Sequence, residues 1–168
     1  GIEEVKAVLA DYLVILGHHY QRPDVIKYAD FRGDSYLLSV KASSMEGTQF
    51  VVFCGVHFMA ETADILTSSE QTVILPNMAA GCSMADMAQF EDVNECWSDI
   101  ANIVGRDDAV TPITYMNSAA DIKALCGRNN GIVCTSSNAE KTFRWAFEHG
   151  RKILFVPDKH LGRNTAVK

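Results

Sequence analysis

One cysteine of this sequence stands where a thiolate could do chemistry. Cys82 follows the apolar run "VILP" and the small-residue turn "NMAAG", and the helix-like segment "SMADMAQF" comes after it. A thiolate at a helix start is favoured by the helix dipole, and it can attack a carbon or bind a metal. A free cysteine that only fills space gives the same pattern, so the choice depends on the partners of Cys82.

Polar side chains follow six apolar runs of the chain. The segments that follow these runs are "GHHYQRP", "HFMAE", "NMAAGCS", "YMNS", "TSSNAE" and "DKHLGRN". In parallel α/β sheets, ligands collect beyond the carboxyl ends of the strands, so this pattern predicts a site distributed over the strand ends. Taken alone, Ser118, Ser136 and Asn138 also fit the simpler role of helix caps. His18 and His19 point to opposite sides of an extended chain, so one of them at most faces a common pocket.

Apolar runs alternate with helix-like segments along the chain. The strand-like runs are "LVILG", "QFVVFCGV", "TVILP", "AVTPITYM", "GIVCTS" and "KILFVPD". The helix-like segments are "EEVKAVLADY", "PDVIKYADF", "FMAETADILTS", "SMADMAQF", "SAADIKALC" and "NAEKTFRWAFEHG". This alternation predicts the α/β class with parallel sheets covered on both faces. A polar stretch from Asp92 to Asp108 separates two similar series, which suggests two small α/β units and a duplication.

The charge balance limits the classes of partner. The chain has 168 residues, a net charge of -6 and a pI near 5.3. An acidic protein is a poor match for nucleic acid or an anionic membrane surface as its main partner. No apolar stretch approaches the ~18 residues of a membrane span, and the first residues are acidic where a secretory signal is basic. We expect a cytoplasmic protein.

The cysteine content favours a reducing compartment. The five cysteines are an odd number, and no two are spaced as CxxC: Cys54, Cys82, Cys96, Cys126 and Cys134. This argues against a disulfide framework and against a local zinc knuckle. Cys54 and Cys134 lie within apolar runs and are expected to be buried, whereas Cys96 is expected in the polar connection.

Several segments together resemble the quinolinate synthase family. They are "ILGHHYQRPDVIKYADFRGDSYLLS", "VVFCGVHFMAETADIL", "VILPNMAAGCSMADM", "PITYMNSAADIKA", "CTSSNAEK" and "FVPDKHLGRNT", and they occur in the family's order over nearly the whole chain. The resemblance implies an enzyme of de novo NAD biosynthesis that condenses iminoaspartate with dihydroxyacetone phosphate. It also implies a functional link to L-aspartate oxidase.

The resemblance implies a fold and a cofactor. The family has three similar α/β/α domains around a pseudo-threefold axis, and residues 1–90 and 91–168 correspond to the first two. Its 4Fe-4S cluster is held by three cysteines, one from each domain, and its open iron acts as a Lewis acid. Cys82 matches the cysteine of the first domain.

Site residues are carried over by matching segments. His18 and Tyr20 of "GHHYQ" match catalytic positions, and His18 also matches a substrate-binding position. The other matched substrate-binding positions are Ser35, Tyr115, Asn117 and Ser136. Hydroxyl and amide groups suit the carboxylates and phosphate of the two substrates, and imidazole and phenol groups suit proton transfer.

The sequence departs from the family pattern in one respect. No cysteine besides Cys82 falls in a ligand segment of the family, so we expect a fragment that lacks two cluster ligands and is inactive alone. Two other functions stay open on the residues alone. One is a cysteine-nucleophile enzyme in which His18 or His57 activates Cys82. The other is a non-enzymatic α/β module that binds an anion at the strand ends.

Overall fold

The computed structural model describes residues 1–104, 110–150 and 152–167. By its internal contacts the chain divides into two compact units, Gly1–Gly81 and Cys82–Lys168, which we call the first and the second unit. This division falls earlier than the predicted boundary after residue 90. The domain ranges 1–90 and 91–168 stay a prediction.

The first unit is built on a parallel sheet of four strands in the order β2-β1-β3-β4. Its strands are β1 (Leu13–His18), β2 (Phe31–Gly33), β3 (Phe50–Cys54) and β4 (Thr72–Ile74). Its helices are α1 (Ile2–Leu9), α2 (Pro23–Ile26), α3 (Ser35–Ser43) and α4 (His57–Leu66). Apolar side chains of the central strands form the core, including Leu16, Val51 and Phe53, which are fully buried.

A close approach of the chain to β1 depends on a glycine. A Cβ atom on Gly17 would lie 2.4 Å from the side chain of Ile26 and 2.8 Å from that of Ala29. The segment between β1 and β2 therefore packs directly on the strand, which a larger residue would prevent. Asp30 holds the end of this segment to β1, because its side chain accepts a hydrogen bond from the Ile15 backbone N–H at 2.8 Å.

The second unit repeats the same arrangement with three described strands. They are β5 (Val110–Tyr115), β6 (Ile132–Cys134) and β7 (Lys152–Val156), and they pair in parallel in the order β6-β5-β7. Its helices are α5 (Phe90–Val104), α6 (Ala120–Arg128), α7 (Ala139–His149) and α8 (Lys159–Ala166). The first strand of the unit is central in both sheets, as expected for two copies of one pattern.

Apolar clusters cover both faces of the second sheet. On one face, Ile113 of β5 packs with Phe143 and Ala146 of α7. On the other, Ile122 and Leu125 of α6 form a cluster with α5. Burial of these side chains is worth about 1.5–3 kcal/mol for each large one, so both helix layers are held to the sheet. The predicted α/β class, with three-layer α/β/α packing, is confirmed.

Two predicted helices are shorter than the sequence suggested. The segment "PDVIKYADF" is helical only over Pro23–Ile26, and Phe31 begins β2 because the chain there pairs with β1. The segment "SMADMAQF" contains a 3-10 helix, Ala85–Met87, and only its last residue, Phe90, is α-helical, as the start of α5. The side chain of Gln89 donates to the Asp86 carbonyl at 2.8 Å, so this carbonyl is bonded by a side chain rather than by a backbone N–H of a continuing helix. The α-helix start predicted beside Cys82 is therefore not formed.

One long helix was interpreted as a polar connection. The prediction placed an irregular stretch from Asp92 to Asp108, but α5 covers most of it, and Cys96 lies within this helix. The apolar face of α5 is sparse, yet Val93 and Trp97 pack toward α6. Residues 105–108 of the stretch, and Ala109 of the predicted strand, lie outside the described residues.

The described helices are all too short or too polar to cross a bilayer. All five cysteines are free thiols. Cys134 is fully buried as predicted, whereas Cys54 is only half-buried. Burial raises the pKa of the Cys54 thiol, and it raises those of Cys126 and Cys134 to about 12 and about 11.

Candidate active-site residues at the strand ends

His18 is the last residue of β1 and lies in a group of three rings. Its side chain is buried and that of His19 is exposed, but the two rings lie beside each other rather than on opposite sides of the chain as predicted, because the strand ends at His18. The ring centroid of His18 lies 4.2 Å from that of His19 and 3.8 Å from that of Tyr20. The backbone N–H of Tyr20 points at His18 Nδ1 at 3.5 Å, a long hydrogen bond. This bond assigns the proton of the neutral ring to Nε2.

The surroundings of His18 keep its imidazole neutral. Burial, the largest cause, and the neighbouring His19 together lower the pKa of His18 to about 4, and the Asp34 carboxylate opposes both effects. Desolvation disfavours the charged form of a base, which explains the direction. His18 therefore presents a neutral Nε2–H donor at neutral pH.

The two other predicted residues of the first unit follow the same sheet edge. In the sheet His18 is paired with Gly33, so the turn to α3 begins beside it. Asp34 caps α3 by accepting from the Leu37 N–H at 2.8 Å, and Ser35 is the first residue of the helix. Tyr20 is 53% exposed, and its hydroxyl lies 3.9 Å from the sulfur of Met59. The structure thus brings His18, Tyr20 and Ser35 to one edge.

The end of β5 is fixed by a chain of buried hydroxyls. Thr114 Oγ1 donates to Ser118 Oγ at 2.8 Å, and Ser118 Oγ donates to the Tyr115 carbonyl at 2.7 Å. Thr114 and Ser118 are both fully buried. Ser118 was expected to cap a helix, but the N-cap of α6 is Ala119, and the Ser118 hydroxyl instead holds the turn that carries Tyr115 and Asn117.

Cys82 receives a hydrogen bond from a predicted substrate residue. Asn117 Nδ2 donates to Cys82 Sγ at 3.8 Å, and both side chains are half-buried. Both residues belong to the second unit. A half-buried thiol beside an amide donor suits a metal-binding thiolate, since second-shell donors commonly hold such ligands. The described part of the chain contains no group of three His, Cys, Asp or Glu side chains placed to hold a metal.

Ser136 occupies the turn after β6. Tyr115 is paired with Cys134 in the sheet, so Ser136 follows the strand next to Tyr115. The side chain of Asn138 accepts from the Thr135 N–H at 2.7 Å and shapes this turn. Asn138 is the N-cap residue of α7, but its side chain makes no capping bond there, which corrects the expectation that it caps the helix.

Sequence reasoning missed two contributors to these edges. The charge of Asp34 raises the pKa of His18. In the sequence, the position of Asp34 before a helix indicates only a helix cap. The contact between Asn117 and Cys82 joins residues far apart in the sequence, and no local pattern indicates it. The structure leaves the roles predicted for the seven site residues as predictions.

Comparisons with known proteins assign the chain to a family. The family model described as quinolinate synthetase A protein matches residues 1–168. A quinolinate synthase of Streptomyces coelicolor is 58% identical over 163 residues, which cover 97% of this chain and 41% of that protein. One of Corynebacterium glutamicum is 58% identical over 165 residues, covering 98% of this chain and 42% of that protein. One of Halobacterium salinarum is 54% identical over 165 residues, covering 98% and 44%.

The match runs through both units and through every strand end described above. The chain spans about two fifths of the length of these curated relatives. A family model over all residues and relatives at more than half identity establish the same relationship. This chain belongs to the quinolinate synthetase A protein family.

Proposed function

We propose that this chain carries part of the catalytic apparatus of a quinolinate synthase, which condenses iminoaspartate with dihydroxyacetone phosphate and releases phosphate and two waters. The names of the relatives support this reaction. Because iminoaspartate is an oxidised aspartate, the proposal includes a functional link to an L-aspartate oxidase. The whole reaction is proposed for the longer protein.

The observation that carries the proposal is the matched register of the two sheets. His18 is paired with Gly33 at the end of β1, and Tyr115 is paired with Cys134 at the end of β5. In each unit, further candidates stand two residues beyond each member of that pair. The resulting sets are His18, Tyr20 and Ser35 in the first unit and Tyr115, Asn117 and Ser136 in the second. In α/β folds, substrates bind beyond the carboxyl ends of the strands. Two sets of polar side chains at equivalent strand ends are therefore the arrangement expected of a substrate site.

His18 supplies a hydrogen bond rather than a charge. Its neutral ring with the proton on Nε2 can donate to a carboxylate or carbonyl oxygen of the substrate. The proton stays on Nε2, because a neutral imidazole that lost it would become an imidazolate, so the donated hydrogen bond polarises and orients that oxygen.

Tyr20 is proposed to relay protons. The Tyr20 side chain is about half exposed at the edge where His18 is buried, and the two rings are in contact. A phenol can donate its proton to a leaving hydroxyl and recover one from solvent. Removal of this hydroxyl alone leaves the ring packing in place, so it is a clean test of the role.

The second unit is proposed to hold the anionic groups. Tyr115 offers a hydroxyl donor at the end of β5, Ser136 offers one in the turn after the neighbouring strand β6, and Asn117 offers an amide. The buried Ser118 hydroxyl donates to the Tyr115 carbonyl and so holds the turn from Tyr115 to Asn117 in one conformation. Donors held in place lose little entropy when a substrate binds, so they orient it efficiently.

The proposed cofactor is a 4Fe-4S cluster to which Cys82 contributes one thiolate. The half-buried thiol and its amide donor fit this role. When bound, the cluster supplies a Lewis-acidic iron. The contact from Asn117 also favours a ligand over a nucleophile, because a nucleophilic thiol is activated by a base and an amide N–H is not a base.

The test uses the complete enzyme purified without oxygen. Quinolinate formation from iminoaspartate and dihydroxyacetone phosphate is measured for the wild type, Tyr20→Phe and Tyr12→Phe. Tyr12 is similarly exposed, but it precedes the opposite end of β1, so its variant is the matched control. We expect Tyr20→Phe to lower kcat by ~100-fold and Tyr12→Phe to leave it unchanged. A wild-type enzyme that forms no quinolinate would refute the proposed function.

A further inference from the structure

We propose that Asn117 is the positioning residue of Cys82, in addition to its expected contact with substrate. Its side-chain amide holds the sulfur in one orientation and withdraws negative charge from it. The inference rests on the proposed function, because it concerns the thiolate proposed to bind the cluster. It gives Asn117 a task that precedes substrate binding.

The contact is directional. Asn117 Nδ2 lies 3.8 Å from Cys82 Sγ, a long hydrogen bond even to the large sulfur atom. The amide nitrogen can only donate and a thiolate can only accept, so the bond becomes stronger when the thiol loses its proton. The second N–H and the carbonyl of the amide retain capacity for a substrate group.

The backbone around Asn117 is held on both sides. Before it, the Met116 N–H donates to the Cys134 carbonyl at 2.8 Å and continues the pairing of β5 with β6. After it, the fully buried Ser118 is tied to Thr114 and to the Tyr115 carbonyl. The direction of the Asn117 side chain is therefore set by the sheet edge rather than by a loose loop.

The backbone of Cys82 is anchored as well. The Asp86 N–H donates to the Cys82 carbonyl at 2.9 Å, at the start of the short 3-10 helix Ala85–Met87. An amide and a sulfur that are both attached to fixed backbone lose little freedom when they pair. This rigidity suits a positioning role.

The chemical consequence concerns the electron affinity of the cluster. Hydrogen bonds to the sulfur ligands of iron–sulfur clusters raise the reduction potential, because they stabilise the extra negative charge of the reduced form. Residues that orient a metal ligand also change metal affinity, typically by about 10- to 100-fold. Loss of the Asn117 amide should therefore affect the cluster itself, with no substrate present.

The experiment compares three forms of the complete enzyme purified without oxygen: wild type, Asn117→Leu and Ser136→Ala. Leucine keeps the approximate size of asparagine but has no donor. Ser136 belongs to the same predicted substrate set, so its variant controls for lost substrate contacts. Iron and sulfide content and the midpoint potential are measured without substrate, and KM is measured separately. Circular dichroism checks folding, and Asn117→Ser, which is too short to reach Sγ, replaces the leucine variant if that variant is misfolded.

We expect Asn117→Leu to have a more negative midpoint potential than the wild type, or to lose iron while it remains folded. Ser136→Ala should keep the wild-type potential and iron content and differ only in KM. An Asn117→Leu enzyme with the potential and iron content of the wild type would overturn the inference. A wild-type enzyme without iron and sulfide would instead refute the proposed function, so the two failures can be told apart.

Discussion

At the end of β1 stand an imidazole and a phenol, whereas the end of β5 carries a phenol and an amide at the same two positions. His18 and Tyr115 are each the last residue of the central strand, and Tyr20 and Asn117 each follow two residues later. The backbone frame is repeated, but the side chains are not. The first unit carries an imidazole and a phenol at these positions, and the second carries a phenol and an amide that donates to the Cys82 thiol.

The position before each strand end differs in a related way. Gly17 in β1 has no side chain, which lets Ile26 and Ala29 approach the strand. Thr114, at the equivalent position of β5, uses its hydroxyl to fix the turn beyond it. The first unit thus orders its strand end by packing, and the second orders it by hydrogen bonds. This difference shows that one topology can order its strand ends in two ways.

The strongest test of the difference removes the thiol. In the complete enzyme purified without oxygen, Cys82→Ser should lose the cluster and all quinolinate formation while the fold survives, because a ligand is removed but no core side chain is. Iron and sulfide per chain and turnover are measured. The control is Cys96→Ser, an exposed cysteine of α5 that should change neither. A full cluster in Cys82→Ser would exclude Cys82 as a ligand.

A smaller effect is expected from the matched serines. Ser35→Ala and Ser136→Ala each remove one donor to an anionic substrate, so each should raise KM by roughly 10-fold or more while the cluster stays intact. If both serines contact substrate, steady-state kinetics should give similar increases for the two variants. An effect confined to one of them would show that the equivalence of the two sheet edges does not extend to binding.

The packing difference predicts two losses of stability. Gly17→Ala forces a methyl group against Ile26 and Ala29 and should lower the free energy of unfolding by about 1–3 kcal/mol. Thr114→Val removes the buried hydroxyl that donates to Ser118 Oγ, and it should lower the free energy of unfolding by about 1–3 kcal/mol. Urea denaturation of the 168-residue chain measures both. Gly127→Ala is a suitable control, since a Cβ atom there meets nothing.

The smallest expected effect is a pH dependence specific to the first unit. The pKa of His18 is about 4 in the folded chain, and an unfolded histidine titrates near 6.5. Between these values the unfolded state binds more protons, so the stability due to His18 falls as the pH falls from 6.5 toward 4 and is constant above 6.5. His18→Gln should reduce the loss of urea stability between pH 7 and pH 4.5. His160→Gln, at an exposed histidine, should retain the wild-type loss.

The sequence predicted the central strands well but missed elements that depend on distant contacts. Long apolar runs such as "LVIL" and "VVFC" became β1 and β3, since their burial is decided locally by composition. The strand Phe31–Gly33 has only three residues and none is buried, so only its pairing with β1 makes it a strand. Helix α5 was missed because acidic and amide side chains interrupt its apolar residues, of which only Val93 is buried.

The candidate site shows the same division. Residue types at strand ends were visible in the sequence, because each follows an apolar run directly. Their neighbours were not, because the donor to Cys82 comes from Asn117 in a different segment of the chain. The neutral state of His18 was also hidden, since it depends on burial and on the charges of His19 and Asp34. Residue identity is local information, whereas an environment is a property of the fold.

The unequal burial of the five thiols has a practical consequence for labelling. Cys126 and Cys134 keep their protons far above neutral pH, and Cys54 is shifted in the same direction, so alkylating reagents at pH 7 should spare all three. Cys96 is exposed and is not among the predicted site residues. Replacing Cys96 alone would therefore leave Cys82 as the preferred attachment point for a fluorophore or spin label. A probe placed there would report on the candidate ligand position while Cys54, Cys126 and Cys134 stay unlabelled.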